Sequence, residues 1–599
     1  MLVAQLQHML STPADKTPRS RMIFWFCLSL TFAAVYGLAI IHKGFSDEYV
    51  VQDDARQHVF WMARFIDPEL FSGDLIADYF QSVAPGGYTT LYRLAAIVGI
   101  DPIVFSKLVP LPILLVTTAY CFGVCLQILP VPIAGFLTTL LLNQSLLVAD
   151  DVNSGTPRAF IYPFFLGFLY YLLKVSPLPC LLMIGLLGLF YPQMMLVACG
   201  MMIVRLIQWQ DGRLQLSHDR RDYLFSGAAL LVGAGVMLLY VLEGASEFGP
   251  AIKAADAMTM PEFWGTGRAS FFSKDAFDFW VVLPRSGILP RTSKILKPHL
   301  MLLGLLLPVL IRWPHPFPLV REVTNKVWVF IHLLLPSIGL FFLAHLLLFT
   351  LHHPSRYVQH SYRIGMALAG GIALTILLDA LCRWAIAKTI PYRRVVALTV
   401  AIVIGTFMLL FPVSDPLGRA IPSLKWLFAG NLIPGFVTGG KEELYEFFAE
   451  QPKDSVIASV AQEANNLPTF SRRSVLVARE YAIPYHVGYY NEFKERVSAL
   501  IQAQYSPNPR DVRRFIEKYD VDFWLLDKRA FELNYVSPKF WIWQYQPTAQ
   551  AARDSLKQGT VPFIAQMAEP CTAFKQDGLT VLKATCLVEK AKQQEGLGK

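Results

Sequence analysis

Long apolar runs separated by short polar breaks fill the first two thirds of the chain. They fall near 22–41, 103–129, 131–149, 159–173, 178–190, 193–207, 222–241, 298–313, 327–350, 364–384 and 394–413, which makes about 11 candidate spans. About 20 apolar residues cross a bilayer as a helix, and several of these runs are shorter. The pair 178–190 and 193–207 is interrupted by "YPQ". Proline ends or kinks a helix, so this pair reads as a broken or re-entrant element. Lys16, Arg19 and Arg21 precede the first run, and no small-residue cleavage site follows it. It therefore reads as a retained anchor rather than a cleaved signal.

The pattern changes after about residue 414. "DSVIASV" (454–460), "RSVLVARE" (473–480) and "VDFWLLD" (521–527) look like short buried strands. "YYNEFKERVSALIQAQY" (489–505) has helical periodicity, and "NPRDVRRFIEKYD" (508–520) opens with Asn508 as N-cap and Pro509 at the first helical position. Strands alternating with helices predict a layered, mostly parallel sheet. "TGGKEE" (438–443) lacks the spacing of a phosphate-binding glycine loop.

Charge orients the spans. With the N-terminus in the cytoplasm, one side collects Lys16, Arg19, Arg21, Lys174, Arg205, Arg213, Arg220, Arg221, Arg312, Arg321, Lys326, Lys388, Arg393 and Arg394. That is the positive-inside pattern. The expected organisation is mainly α. A cytoplasmic tail (1–21) leads into a polytopic helix bundle (22–413). The bundle has outer loops 42–102, 150–158, 242–297 and 351–363, and an extracytoplasmic α/β domain (414–599) follows it.

Composition agrees with this reading. The 599 residues are 54% hydrophobic and only 16% charged, with a mean hydropathy of +0.42. The formal net charge of +9 reflects cytoplasmic loops, not nucleic-acid binding: no arginine-rich tract or stacking platform is present. Six of the eight cysteines lie in or near apolar runs and read as packing residues. Cys571 and Cys586 stand in the polar tail and predict a disulfide if that tail is in an oxidising compartment.

Three outer segments carry unusual polar residues. The first is "YVVQDDARQHVFWMARF" (49–65), with Asp53, Asp54 and His58. The second is "ADDVNSGTPRAF", with Asp150, Asp151 and Arg158. The third is "LHHPSRYVQHSYR", with His352, His353, Arg356 and Tyr357. Ionisable groups at membrane depth are functional candidates. Each segment alone has a plain alternative: a helix cap, an interfacial histidine pair, an arginine on lipid headgroups. Their coincidence on one face favours a site. If 49–65 is helical, Asp54, His58 and Trp61 share one face, with one acid free to cap the helix. Phe60, Trp61 and Phe65 would then lie in the membrane interface.

These features resemble the GT-C class of integral-membrane glycosyltransferases, which use polyprenyl-phosphate-linked sugars. The resemblance rests on "QDDARQH", the aromatic juxtamembrane stretch, "ADDVNSGTPRAF", the broken "FYPQ" element, "HHPSRY" and the C-terminal outer domain. Within that class it resembles bacterial members. The tail lacks a "WWD"-type signature, since "DFWLLD" is no substitute, and this argues against peptide asparagine as acceptor.

The resemblance implies a multi-pass protein of the bacterial inner membrane. It would pass a sugar from a polyprenyl-phosphate donor to an extracytoplasmic glycan, lipid or protein, by inverting displacement. By position it implies Asp54 or Asp53 as base. Arg356, with Arg158 second and His353 and Tyr357 beside them, would bind the donor phosphate. Asp150 and Asp151 would hold sugar hydroxyls or a divalent cation, and His58 and His352 would orient the base or join that set. A metal (Mg²⁺, Mn²⁺ or Zn²⁺) is compatible with these residues but not required. The outer loop 242–297, with "MPEFWGTGRASFF" and "DFWVVLPRSG", contains aromatics and arginines and reads either as a cover for the site or glycan-binding loop, or as a plain packed loop. Two other readings stay open: a non-catalytic subunit or transporter handling a lipid-linked glycan, and a glycan polymerase or ligase.

Overall fold

The protein is seen as a computed structural model that describes residues 2–210, 213–243, 248–265, 267–290, 297–387, 390–411 and 433–597. The expected boundary at 413/414, Lys388 and parts of the loop 242–297 lie outside the described residues.

Every apolar run is helical. Six helices are long and apolar enough to cross a membrane: Arg19–Gly44, Pro102–Ile128, Arg220–Leu242, Asn325–Leu346, Pro354–Ile386 and Tyr392–Leu410. Five are shorter: Pro132–Val148, Pro157–Leu173, Pro177–Phe190, Pro192–Val204 and His299–Arg312. Prolines mark many of the starts, as at Pro110, Pro132, Pro177, Pro192 and Pro391. Their fixed φ suits the first turn, and their missing N–H costs nothing there. The chain is a multi-pass helical membrane protein with an α/β C-terminal region.

The helix Gln359–Ile386 is the axis of the bundle, buried along most of its length. Small residues let its neighbours approach. A Cβ added to Gly371 would lie 2.6 Å from Thr138 Cα, and one on Gly370 would lie 2.9 Å from Met301 Cα. At one end, Asp379 accepts from Gln7 of an N-terminal helix, Leu2–Ser11, and from Arg383. At the other end stand His360 and Arg363. Sixteen residues of helix separate Arg363 from Asp379, about 24 Å at 1.5 Å per residue, so the two polar clusters occupy opposite ends of the bundle.

The C-terminal region reaches back to the start of the chain. Strand β1 (Val50–Gln52) pairs antiparallel with β4 (Phe436–Thr438). Between them in sequence, β2 (Ile207–Gln210) and β3 (Arg213–Leu216) form a separate hairpin. The main sheet has order β6-β5-β7-β9-β8, from β5 (Val456–Ala458), β6 (Ser474–Val475), β7 (Phe523–Asp527), β8 (Thr572–Gln576) and β9 (Leu579–Lys583). β5 runs parallel to β6 and β7, as the alternation of strands and helices predicts. β9 is antiparallel to both β7 and β8, so the sheet is mixed rather than mostly parallel. The hairpin turns at Asp577-Gly578, both with positive φ (44° and 84°). Asp-Gly is the dipeptide that accepts this geometry. Cys571 and Cys586 are disulfide-bonded, as their isolation in the tail predicts.

The aromatic run after the first acids departs from expectation. Helix stops at His58, a 3-10 turn covers Phe60–Phe65, and Val59 breaks the register between them. Phe60 and Trp61 are buried in protein instead of lying in the membrane interface. Phe60 packs 5.4 Å from Tyr481 and 5.3 Å from Phe71. The rings anchor the C-terminal domain on the first outer loop.

Candidate functional site

The first outer loop brings its acids to the bundle on a six-residue helix, Asp53–His58. Gln52, not an aspartate, caps it by accepting from Ala55 N at 3.1 Å. The C-terminal domain fixes the rest. Arg56 bonds Asn466, Thr469 Oγ1 donates to Arg56 O at 3.0 Å, and Gln57 donates to Glu480 O. Asp53 is turned outward onto Arg56 at 2.6 Å. Asp54 points the other way and pairs with Arg158.

Arg158 is the meeting point of the first two predicted segments. Its guanidinium also faces Asp151 at 3.4 Å and Asp150 at 4.0 Å. The loop that carries them turns at Gly155, whose φ is +63° and whose added Cβ would sit 2.9 Å from Ser106 O. Glycine alone fits that approach. Pro157 then starts the following helix.

The two neighbouring acids of this loop have opposite environments. Asp151 is buried, accepts from Tyr162 at 2.7 Å and pairs with Arg363. Burial pushes its carboxyl up, but Arg363, His360 and the Tyr162 hydroxyl overcome this and hold it at about 2. Asp150 keeps 49% of its side chain open. Its crowded setting, then the charge of Asp151, raise it above the usual carboxylate range against the pull of Arg356 and Arg363. Asp151 is a fixed anion of the scaffold. Asp150 is the acid with free oxygen surface.

The third segment closes the ring. His353 precedes a 3-10 turn, Pro354–Tyr357. Tyr357 donates to Leu351 O at 2.9 Å, so its hydroxyl staples this turn and is not offered to a ligand. Phe349 and His352 both have positive φ (66° and 61°), a cost of about 1–2 kcal/mol each for such residues. The turn projects Arg356. Among the described residues no carboxylate lies within 4 Å of the Arg356 guanidinium.

Histidines around Arg356 are held neutral. Burial, then Arg268 and Arg356, bring His58 down to about 4. Burial, then Arg356 and Arg285, bring His352 to about 3. His353 lies well below its ordinary value, through burial and then His352, and its Nε2 shares a hydrogen bond with the Tyr485 hydroxyl at 2.9 Å. The broken element brings Tyr191 against His360, ring centroids 5.7 Å apart.

The structure therefore groups Asp54, Asp150, Asp151 and Arg158, and sets His58, His352, His353 and Arg356 beside them. It separates Asp53 and Tyr357 from that group. Sequence reasoning missed Tyr162, Glu480, Tyr485, Arg268, Arg285 and the role of Arg363. Arg363 was visible as a charge inside a span, which is itself a signal. Glu480 and Tyr485 carry no such signal, because only the docking of the tail brings them near. Arg268, from the segment 267–290, bonds Glu480 at 2.7 Å and Gln57 at 3.3 Å.

A divalent cation would need these carboxylates as ligands. Asp54, Asp150 and Asp151 are all turned toward the Arg158 guanidinium, which occupies the place a cation would take. Among the described residues no three His, Cys, Asp or Glu side chains converge as a ligand set. The residues as arranged do not fit a resident metal.

No family model matches the sequence, and no curated protein matches it. The solved structures similar to it include two of the oligosaccharyltransferase of Archaeoglobus fulgidus. The apo form is 11% identical, with a TM-score of 0.48 over 86% of this chain and 72% of that one. The complex with an inhibitory peptide and dolichol-phosphate is 11% identical, with a TM-score of 0.47 over 88% and 72%. A third is ArnT from Cupriavidus metallidurans bound to undecaprenyl phosphate, 12% identical, with a TM-score of 0.41 over 95% and 98%. At these identities and scores the likeness transfers no residue role and no activity.

Proposed function

We propose that the chain is a GT-C-type membrane glycosyltransferase. It moves a sugar from a polyprenyl-phosphate carrier to an acceptor glycan, lipid or protein. The reaction takes place on the extracytoplasmic face of a bacterial inner membrane, with the N-terminus cytoplasmic and the C-terminal domain outside. The observation that carries this reading is Arg356, a guanidinium with no carboxylate within 4 Å among the described residues, beside three acids that surround Arg158 at one end of an apolar bundle. Arginine's planar fork suits a phosphate, and a lipid-linked phosphate reaches such a place from the bilayer.

The chemistry asks little more. Arg356 binds the singly charged phosphodiester of the donor. The acceptor hydroxyl attacks the anomeric carbon from the opposite side, which inverts it, and Asp54 takes the hydroxyl proton. The bond from the anomeric carbon to the phosphate oxygen breaks, and the phosphate leaves with the electron pair. Arg158 orients Asp54 for this role. Asp53 is a poorer candidate because its side chain is turned outward, away from the acids around Arg158. Asp150, with its open oxygens, suits sugar hydroxyls. No step passes through a metal.

The test uses the full chain in lipid nanodiscs with radiolabelled polyprenyl-phosphate sugar. Asp54→Asn is expected to cut transfer by about 10²- to 10⁴-fold, the usual worth of a general base. Arg356→Gln is expected to raise KM and lower kcat together. Wild-type transfer by both folded variants rejects this site.

A further inference from the structure

Four arginines around the site each face an acid: Arg158 with Asp54, Arg363 with Asp151, Arg268 with Glu480 and Arg56 with Asp53. Two do not. Arg356 is one. The other is Arg285, which donates to the carbonyls of Ser270 and Arg268, both at 3.1 Å. Carbonyls fix its position but leave its charge uncompensated. The two arginines are tied together, since Ser355 N donates to Arg285 O at 3.2 Å and Ser355 Oγ to Pro284 O at 2.9 Å. Next to them His353 is 3% exposed, and its Nδ1 has no partner. Two like charges with no acid within 4 Å among the described residues repel each other, and partial burial strengthens that repulsion. The arrangement gains stability only when an anion arrives.

The reaction above supplies one whose charge changes. The donor phosphodiester carries one negative charge. When its bond to the anomeric carbon breaks, the electron pair stays on the phosphate oxygen, and the product is a polyprenyl phosphate monoester with up to two. Meanwhile the acceptor proton moves to Asp54, so the charge gained by the phosphate equals the charge lost by the base. One arginine balances the donor. The second balances charge that exists only as the bond breaks, and interactions of that kind raise kcat.

Resting on the glycosyltransferase reading, we infer that Arg285 is a fixed second cation for the leaving group. With Arg356 and His353 it forms a pocket matched to the polyprenyl phosphate dianion in preference to the singly charged donor. Arg285 acts by its charge and by setting the field at Arg356; it is a positioning residue. The first and third outer loops turn His58 and Arg268 toward this pocket, and the turn before Arg356 adds His352. The C-terminal domain adds Tyr485 and His486. Asp150, Arg158 and Tyr191 also interact electrostatically with Arg356. His58 at about 4, His352 at about 3 and His353 well below its ordinary value stay neutral between pH 5 and pH 7, so the phosphate is the ligand-side group that titrates there.

The test measures direct binding of radiolabelled polyprenyl phosphate to the full chain in nanodiscs, together with kcat and KM for transfer. The second phosphate proton leaves near pH 6, so wild-type affinity is expected to rise by about tenfold between pH 5 and pH 7. In Arg285→Gln that rise is expected to flatten, with kcat down by about 10- to 100-fold and KM changed less than about threefold. Arg285→Lys keeps the charge and is expected to restore the pH slope. An unchanged slope in Arg285→Gln, or a Lys variant that fails together with Gln, overturns the inference while leaving the transfer reaction intact. A wild type that neither transfers sugar nor binds the lipid phosphate overturns the glycosyltransferase reading and this inference with it.

Discussion

Asp53 and Asp54 adjoin in sequence but serve different partners. The site as drawn expects Asp53→Ala to keep kcat within about tenfold of wild type, while Asp54→Asn loses the larger factor of a general base; steady-state kinetics on both decides it. Asp150 gives a separate stability test. A carboxyl ionises at about 3.9 in an unfolded chain, and in the fold Asp150 holds its proton to higher pH. Below the unfolded value both states are protonated and nothing is lost. Above it, ionisation in the fold costs stability, fully so once pH passes the folded value. Asp150→Asn should raise the thermal midpoint at pH 7 and leave it unmoved at pH 3. Histidines act in the opposite direction. His58 at about 4 and His352 at about 3 are neutral in the fold, whereas unfolded histidine ionises at about 6.5. The unfolded chain binds more protons between those values, so this stabilisation is complete above about pH 6.5 and fades as pH falls toward 4 and 3. Thermal midpoints from pH 4 to 7 should fall less steeply in His352→Asn than in wild type. At this scale the acids, Arg158 and Arg356 were legible, because charge beside apolar runs is rare and visible. Which aspartate faces inward was not legible, because Arg56 and its partners in the distant tail settle that.

Elements show why spacing misleads locally. The stretch 49–65 reads as one amphipathic helix, yet β-pairing claims Val50–Gln52 and a 3-10 turn claims Phe60–Phe65. The aromatic rings are satisfied by the C-terminal domain, a partner invisible to a local window. The strands β5 and β7 were legible from their apolar runs. β8 and β9 were missed although Asp577-Gly578 marks their turn, because their flanking residues alternate only weakly. Val437→Pro would remove a ladder donor from β4 and is expected to release the first outer loop, with loss of transfer and faster proteolysis near residue 50. The disulfide Cys571–Cys586 closes a sequence separation of 15, worth about 3 kcal/mol by chain entropy. Replacing both cysteines by serine should lower the midpoint of the C-terminal domain by several degrees, an effect reproduced by reductant on wild type and absent in the variant.

For the molecule as a whole, the apolar runs and basic loops gave the span pattern directly, since hydrocarbon thickness and charge bias act on single segments. Orientation is open to a simple test. A cysteine at Arg213 should react with an impermeant thiol reagent only from the cytoplasmic face, and one at Asp256 or Gln502 only from outside. All three positions are exposed in the fold. Labelling of Arg213→Cys and Asp256→Cys from the same side would reject the alternation of spans.

The contact between Arg56 and Asn466 joins residues 410 positions apart. At about 5–20 residues per second of synthesis, roughly 20 to 80 s pass between the emergence of one and of the other. Through that interval the segment Asp53–His58 exists without the strand and side chains that orient Asp54. A nascent chain of this protein thus carries Asp54 before it carries the residues that aim it, and on the proposed function transfer waits until translation is nearly complete.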